Sequence, residues 1–140
     1  MILKRWEHYP HQADVGVRGI GATKAEAFEQ ASLALTAVVA DLETIEPSEP
    51  FEITCKADDD EMLLVEWLSR LVYEMSTRRM LFSRIDIFVG EKELRARIWG
   101  EPIDPEKHKP AVEVKAVTYY DLAVTQMADG SWKAQCVVDV

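Results

Sequence analysis

Long apolar runs are missing from this chain. No stretch approaches the ~20 consecutive apolar residues of a membrane-spanning helix, and Met1-Ile2-Leu3-Lys4-Arg5-Trp6-Glu7 has no apolar core of the secretory kind. A cytoplasmic protein with no membrane partner is therefore expected. Cysteine is scarce: Cys55 and Cys136 are the only two, far apart and each inside an alternating apolar segment. With no CxxC and no Cys/His zinc spacing, both are expected as buried reduced thiols that act as small hydrophobes. Basic charge is also in deficit, 16 Lys and Arg against 25 Asp and Glu, for a net charge of -9. That balance opposes unaided binding to nucleic acid and favours basic proteins and cations as partners. No nucleophile elbow, P-loop, dinucleotide fingerprint or zinc-binding helix occurs, and the glycines from Gly16 to Gly21 do not have dinucleotide spacing.

What is present is enough for one domain spanning residues 1–140, with 48% hydrophobic and 29% charged residues. Thr23 and Glu26 form a capping-box pattern ahead of Phe28, Ala31, Leu35, Val38 and Leu42, which recur at helical spacing and predict a helix over 23–42. Phe51, Ile53 and Cys55 alternate as a strand. A second helix follows Asp58-Asp59-Asp60-Glu61, with Leu63, Leu64, Trp67, Leu68, Leu71, Val72 and Met75 on one stripe. The acidic cluster at its start is read as capping and dipole compensation in preference to a metal site. Ile85, Ile87 and Val89, the turn Gly90-Glu91-Lys92, then Leu94, Ala96 and Ile98 describe a β-hairpin. Residues 100–110 are expected as a long loop without structure of its own. Val112, Val114 and Ala116 read as a strand continued by Tyr119 to Gln126, and Asp129-Gly130 turns into a last strand with Trp132, Ala134, Cys136 and Val138 on one face. The fold class is α+β: a largely antiparallel β-sheet packed against two amphipathic helices in a two-layer domain.

Chemistry concentrates in three places. The stretch from His8 to Gly21 packs two further chemistry-bearing residues, His11 and Asp14, ahead of a glycine-rich strand, with Asp14 where the loop enters that strand. There its carboxylate can either accept backbone N–H bonds or join other carboxylates around a hard cation. The chain closes on Asp139-Val140, where the Asp side chain and, with Val140 as the terminus, the α-carboxylate would lie side by side. If the last strand neighbours the first, Asp14 adds a third group, and carboxylates that close repel unless a cation neutralises them. Such an oxygen-only set suits calcium first, with magnesium or manganese as alternatives, while His11 keeps a nitrogen donor in reach. In the run Glu113-Val114-Lys115, Glu113 and Lys115 are expected on one face of a strand. They form either a surface ion pair or, for Lys115, an anion-holding group beside the metal.

Taken together, His11-Gln12-Ala13-Asp14-Val15-Gly16-Val17, Ala25-Glu26-Ala27-Phe28, the stretch from Asp60 to Trp67, Glu113-Val114-Lys115-Ala116-Val117-Thr118-Tyr119 and Val137-Val138-Asp139-Val140 closely resemble the archease family. The resemblance implies a protein cofactor, not an enzyme, for the RtcB-type RNA ligase of tRNA splicing. It would promote GTP- and metal-dependent guanylylation of the ligase and multiple turnover, meeting GTP only through the ligase. It further implies that Asp14 and Asp139 are metal ligands and that Lys115 serves ligase activation. Gln12 stands where family members commonly have Thr, and Tyr120 where they commonly have His. The other reading is a chaperone-like modulator of RNA-modifying enzymes, such as a tRNA methyltransferase, with no metal-dependent role. A free-standing metal-dependent hydrolase is disfavoured, since no nucleophile or general-base constellation is present.

Overall fold

The computed structural model describes residues 2–140. The strands divide between two antiparallel sheets, with two long helices against them, so the α+β class and the antiparallel pairing stand as expected. The first sheet contains β1 (Arg5–His11), β2 (Asp14–Gly21), β6 (Ala116–Val117), β7 (Ala123–Gln126) and β8 (Trp132–Asp139). Its order is β1-β2-β8-β6, with β7 also on β8. The second contains β3 (Glu49–Lys56), β4 (Met80–Val89) and β5 (Glu93–Pro102) in the order β3-β5-β4. Helices α1 (Lys24–Val39) and α2 (Asp60–Arg78) supply most of the largest fully buried side chains, and the fully buried Trp67 of α2 donates its indole N–H to Ser32 Oγ of α1 at 2.7 Å.

Local chemistry explains the helix ends. Thr23 caps α1 by accepting from the Glu26 N–H, while the Glu26 carboxylate reaches back to the Ala22 N–H. The helix stops at Val39, short of Leu42, because the chain turns extended at Ala40, and Leu42 lies instead in a short 3₁₀ turn capped by Asp41. Asp59 caps α2 by accepting from the Met62 N–H, and Asp60 pairs with Lys24 at 2.8 Å, so this acidic cluster does what capping and charge pairing require. Cys55 and Cys136 are both buried and free. Burial alone pushes the Cys136 thiol up to about 12.

Three expectations about strands are corrected. β1 was not foreseen: its sequence is polar and contains Pro10, which an edge strand tolerates because one side of its ladder is unpaired. Val112 to Lys115 are not a strand, because β8 runs out of partners. The Lys115 N–H already bonds the carbonyl of Asp139, the last residue of β8, and Ala111 turns instead to the Val39 carbonyl. Glu113 and Lys115 therefore do not share a strand face, and they form no ion pair with each other among the described residues. The run from Tyr119 to Gln126 is broken by an outward bend at 118–122, with Asp121 in the left-handed region (φ 54), before β7 resumes the pairing. The region expected as unstructured loop gives three residues, Gly100 to Pro102, to β5 and one helical turn, α3 (Pro105–His108), capped by Asp104. The β4–β5 hairpin and the Asp129-Gly130 turn, with Gly130 at φ 89, form as read.

Helix α1 lies directly on β2 because Gly19 has no side chain: a Cβ there would sit 2.0 Å from the Ala27 carbonyl oxygen and 2.2 Å from the Ala31 nitrogen. Both are helix backbone and cannot move aside. Gly19→Ala is expected to lower the unfolding free energy by about 1–3 kcal/mol or more, read as a lower urea midpoint with an unchanged slope.

Candidate functional site at the sheet tip

Strand register brings the sequence candidates together. Val15 faces Val138 across β2 and β8, so the next step of the same ladder sets Asp14 opposite Asp139. His11 faces Asp14 across the β1–β2 hairpin, and Ala116 faces Asp139 across β6 and β8. Residues opposed in this way project to the same face. His11, Asp14 and Asp139 thus form one row over three adjacent strand ends, on the sheet face away from α1. Gln12 and Ala13 make the hairpin turn, with Gln12 in the left-handed region at φ 56.

Lys115 joins this row through its backbone, its N–H donating to the Asp139 carbonyl at 2.8 Å, and its side chain is exposed. The segment leading to it is pinned along its length. Ala111 donates to the Val39 carbonyl at 2.8 Å, and Val114 is buried. Upstream, His108 is almost wholly buried. Its Nδ1 accepts from the Asp104 N–H at 2.9 Å, which leaves Nε2 as the donor to Glu101 Oε2, also at 2.9 Å. Burial opposes ionisation of Glu101, but the Glu46 N–H, Lys107 and His108 outweigh it and hold the carboxyl down at about 2. Glu113 is exposed on the same strap and is not brought to the carboxylate row. Val140 follows β8 with its side chain packed against the core.

Several residues around the row were not anticipated. The Tyr9 ring lies flat over Gly16, where a Cβ would come within 2.2 Å of Tyr9 Cζ, and the Arg18 guanidinium stands 4.5 Å from the ring centre. Arg18 is held there by Gln135 at 2.8 Å and Glu7 at 3.2 Å. The Tyr9 hydroxyl is buried without a hydrogen-bond partner, and burial, aided by the Asp121 carboxylate, pushes its pKa up to about 12. Tyr120 bends over from the 118–122 segment so that its ring centre is 5.5 Å from that of His11, whose Nδ1 is likewise buried and unpartnered. Period-two spacing from His11 back to Tyr9 was the available signal for one of these. Nothing local in the sequence pointed to Arg18 or Asp121.

As a donor set, the row offers two carboxylates and an imidazole. Neither Asp14 nor Asp139 takes part in an ion pair among the described residues, and two facing carboxylates without a cationic partner are the electrostatic arrangement a divalent cation relieves. Among the described residues, no group of three or more His, Cys, Asp or Glu side chains is placed to hold a metal ion. The row by itself therefore offers a hard cation the two Asp carboxylates, and any further oxygen ligands would have to come from water or from another molecule.

Comparison with known proteins follows the same outline. The model of the Archease protein family matches residues 6–140. The chain is 39% identical over 142 residues to the protein archease of Pyrococcus furiosus, covering 99% of this chain and 100% of that one. The protein archease of Methanosarcina barkeri is also 39% identical, over 98% and 97% of the two chains. The solution structure of Methanobacterium thermoautotrophicum protein 1598 superposes with a TM-score of 0.78 at 29% identity, over 96% of this chain and 98% of that one. A crystal structure from Thermotoga maritima, described as an archease and possible chaperone, shares the fold with a TM-score of 0.62 at 20% identity, over 96% of each chain.

The buried contact of Glu101 with His108 and Lys107 has a pH signature. A carboxyl held below its unfolded value of about 4.5 stabilises the fold above that pH and loses this contribution as pH falls towards about 2. Glu101→Gln is therefore expected to be less stable than wild type at neutral pH and to show a shallower loss of stability between about pH 5 and 2. Urea midpoints across a pH series check both.

Proposed function

The chain belongs to the archease family, and on that premise we propose that it is a protein cofactor of the RtcB-type RNA ligase in tRNA splicing, promoting guanylylation of the ligase and multiple turnover. The observation that carries this reading is the shared row of Asp14 and Asp139 on adjacent strand ends, with Lys115 bonded to the Asp139 backbone. Asp14 and Asp139 would hold a divalent cation. A bound cation of this kind supplies charge neutralisation at phosphoryl oxygens. The residues of this chain do the rest. The hairpin turn and the pinned strap present the row at an edge of the molecule. Lys115, exposed and free of side-chain partners among the described residues, reaches anionic oxygens such as those of a nucleotide held by the ligase. Positioning and charge are most of what phosphoryl-type transfer requires of a protein. The acidic net charge favours docking on a basic RNA enzyme.

Exposed Tyr119, Tyr120 and Val112, which flank Lys115, support a second reading, that of a chaperone-like modulator of RNA-modifying enzymes. Binding to such an enzyme that survives chelation, with no effect on ligation, would favour it.

Two measurements separate these readings. In multiple-turnover ligation with the cognate ligase, GTP and manganese, wild type is expected to raise turnover. Asp14→Asn, Asp139→Asn and Lys115→Ala, each folded by circular dichroism, are expected to lose most of the stimulation; undiminished stimulation by the Asp14 variant sinks the metal-site reading. In the absence of ligase, calcium or manganese at about 100 times its dissociation constant should stabilise wild type by about 2.7 kcal/mol. Asp14→Asn should show little of this gain. In metal-free buffer it should be at least as stable as wild type, because one of two facing carboxylates is gone.

A further inference from the structure

The solvent face of the three-stranded sheet is chemically unlike the rest of this acidic surface. Along the central strand β5, Arg95, Arg97 and Trp99 alternate with the buried Leu94, Ala96 and Ile98. On β4 the outward residues are Arg84, Asp86 and Phe88. Register sets Arg84 beside Trp99 and Phe88 beside Arg95. The guanidinium of Arg84 stands 4.2 Å from the Trp99 ring centre and that of Arg95 4.8 Å from Phe88, while Arg97 approaches Trp99 at 6.0 Å. Phe88 is 57% exposed, and a shallow hollow of about 380 Å³ crosses the strands, where Phe88, Arg95 and Arg97 share the lining with the carboxylates of Glu29, Glu52 and Asp86.

We propose that this face binds single-stranded nucleic acid. Its rings and guanidinium planes offer stacking surfaces for bases, and Arg95, with Lys56 on the neighbouring β3, has no carboxylate partner among the described residues and is available to phosphates. Arg97 pairs with Glu52, and Arg84 with Asp86 at 3.4 Å, yet all four side chains are more than half exposed. Such pairs contribute about 0–1 kcal/mol, so a phosphate can displace the carboxylates. Size decides between a strand and a folded protein. Three strands spaced by ~4.8 Å and outward residues spread over about seven positions make a strip of roughly 14 by 23 Å. That is well under the ~800 Å² per partner of a stable protein interface. It accommodates a few nucleotides. The net charge of -9 keeps the interaction weak and confines it to this face.

The test is fluorescence anisotropy of labelled oligouridine and oligodeoxythymidine, about eight nucleotides long, with the full chain. Saturable binding is expected at about 20 mM salt, weakening about 100-fold at about 200 mM if three phosphates are contacted. Phe88→Ala and Arg95→Ala, both at exposed positions, should each weaken binding about tenfold while leaving the melting temperature unchanged. Absence of binding at low salt overturns the proposal, as does equal binding by both variants. Protection of β4 and β5 by a protein partner, with no oligonucleotide binding, would overturn it in favour of a protein interface. None of these outcomes depends on ligase stimulation.

Discussion

The β2–β8 ladder is the constraint on which the functional arrangement rests. Antiparallel register converts positions 125 residues apart in the chain, Asp14 and Asp139, into neighbours. A slip by one residue would turn one of the two carboxylates onto the opposite face. Two close approaches forbid that slip. Gly19 lets the backbone of α1 rest on one side of β2, and Gly16 receives the Tyr9 ring on the other. Each glycine marks a place where the strand has a single acceptable height relative to its neighbour, so the hairpin, the last strand and the helix are locked together by shape.

The strap from α3 to β6 solves a second problem, how to hold an exposed lysine near that ladder without a strand to carry it. Its backbone is tied to the end of α1 at Val39 and to the end of β8 at Asp139, while the buried His108–Glu101 pair fixes its upstream end. The tautomer of His108 is set by the Asp104 N–H, so its Nε2 is the donor that ties this end of the strap to Glu101. Ordered but irregular, the strap costs conformational entropy that these few bonds and the burial of Val114 offset.

Much of this was legible in the residues. Strong helical periodicity located α1 and α2, alternation with a short turn located the β4–β5 hairpin, and motif resemblance singled out Asp14, Lys115 and Asp139. The failures share a cause: they depend on which partner a segment meets. Val112, Val114 and Ala116 alternate as a strand should, but β8 ends before it can pair with most of them. Pro10 and its polar neighbours look unlike a strand, yet an edge position accepts them. The bend at 118–122 has no local signal beyond its tyrosines, and the contact of Tyr120 with His11 joins residues distant in sequence. Pairing information of this kind is not written in any single window of the chain.

The two cysteines carry a last consequence. Both are buried, and the thiol of Cys136, on the strand that ends in Asp139, is held far from its reactive thiolate form at neutral pH. In the native state these sulfurs are closed to alkylating reagents and to soft metals competing for the tip. Their labelling therefore reports the opening of the fold. Because Cys136 faces Val17 in the β2–β8 ladder, its reaction rate is a clock on the very pairing that aligns the two aspartates.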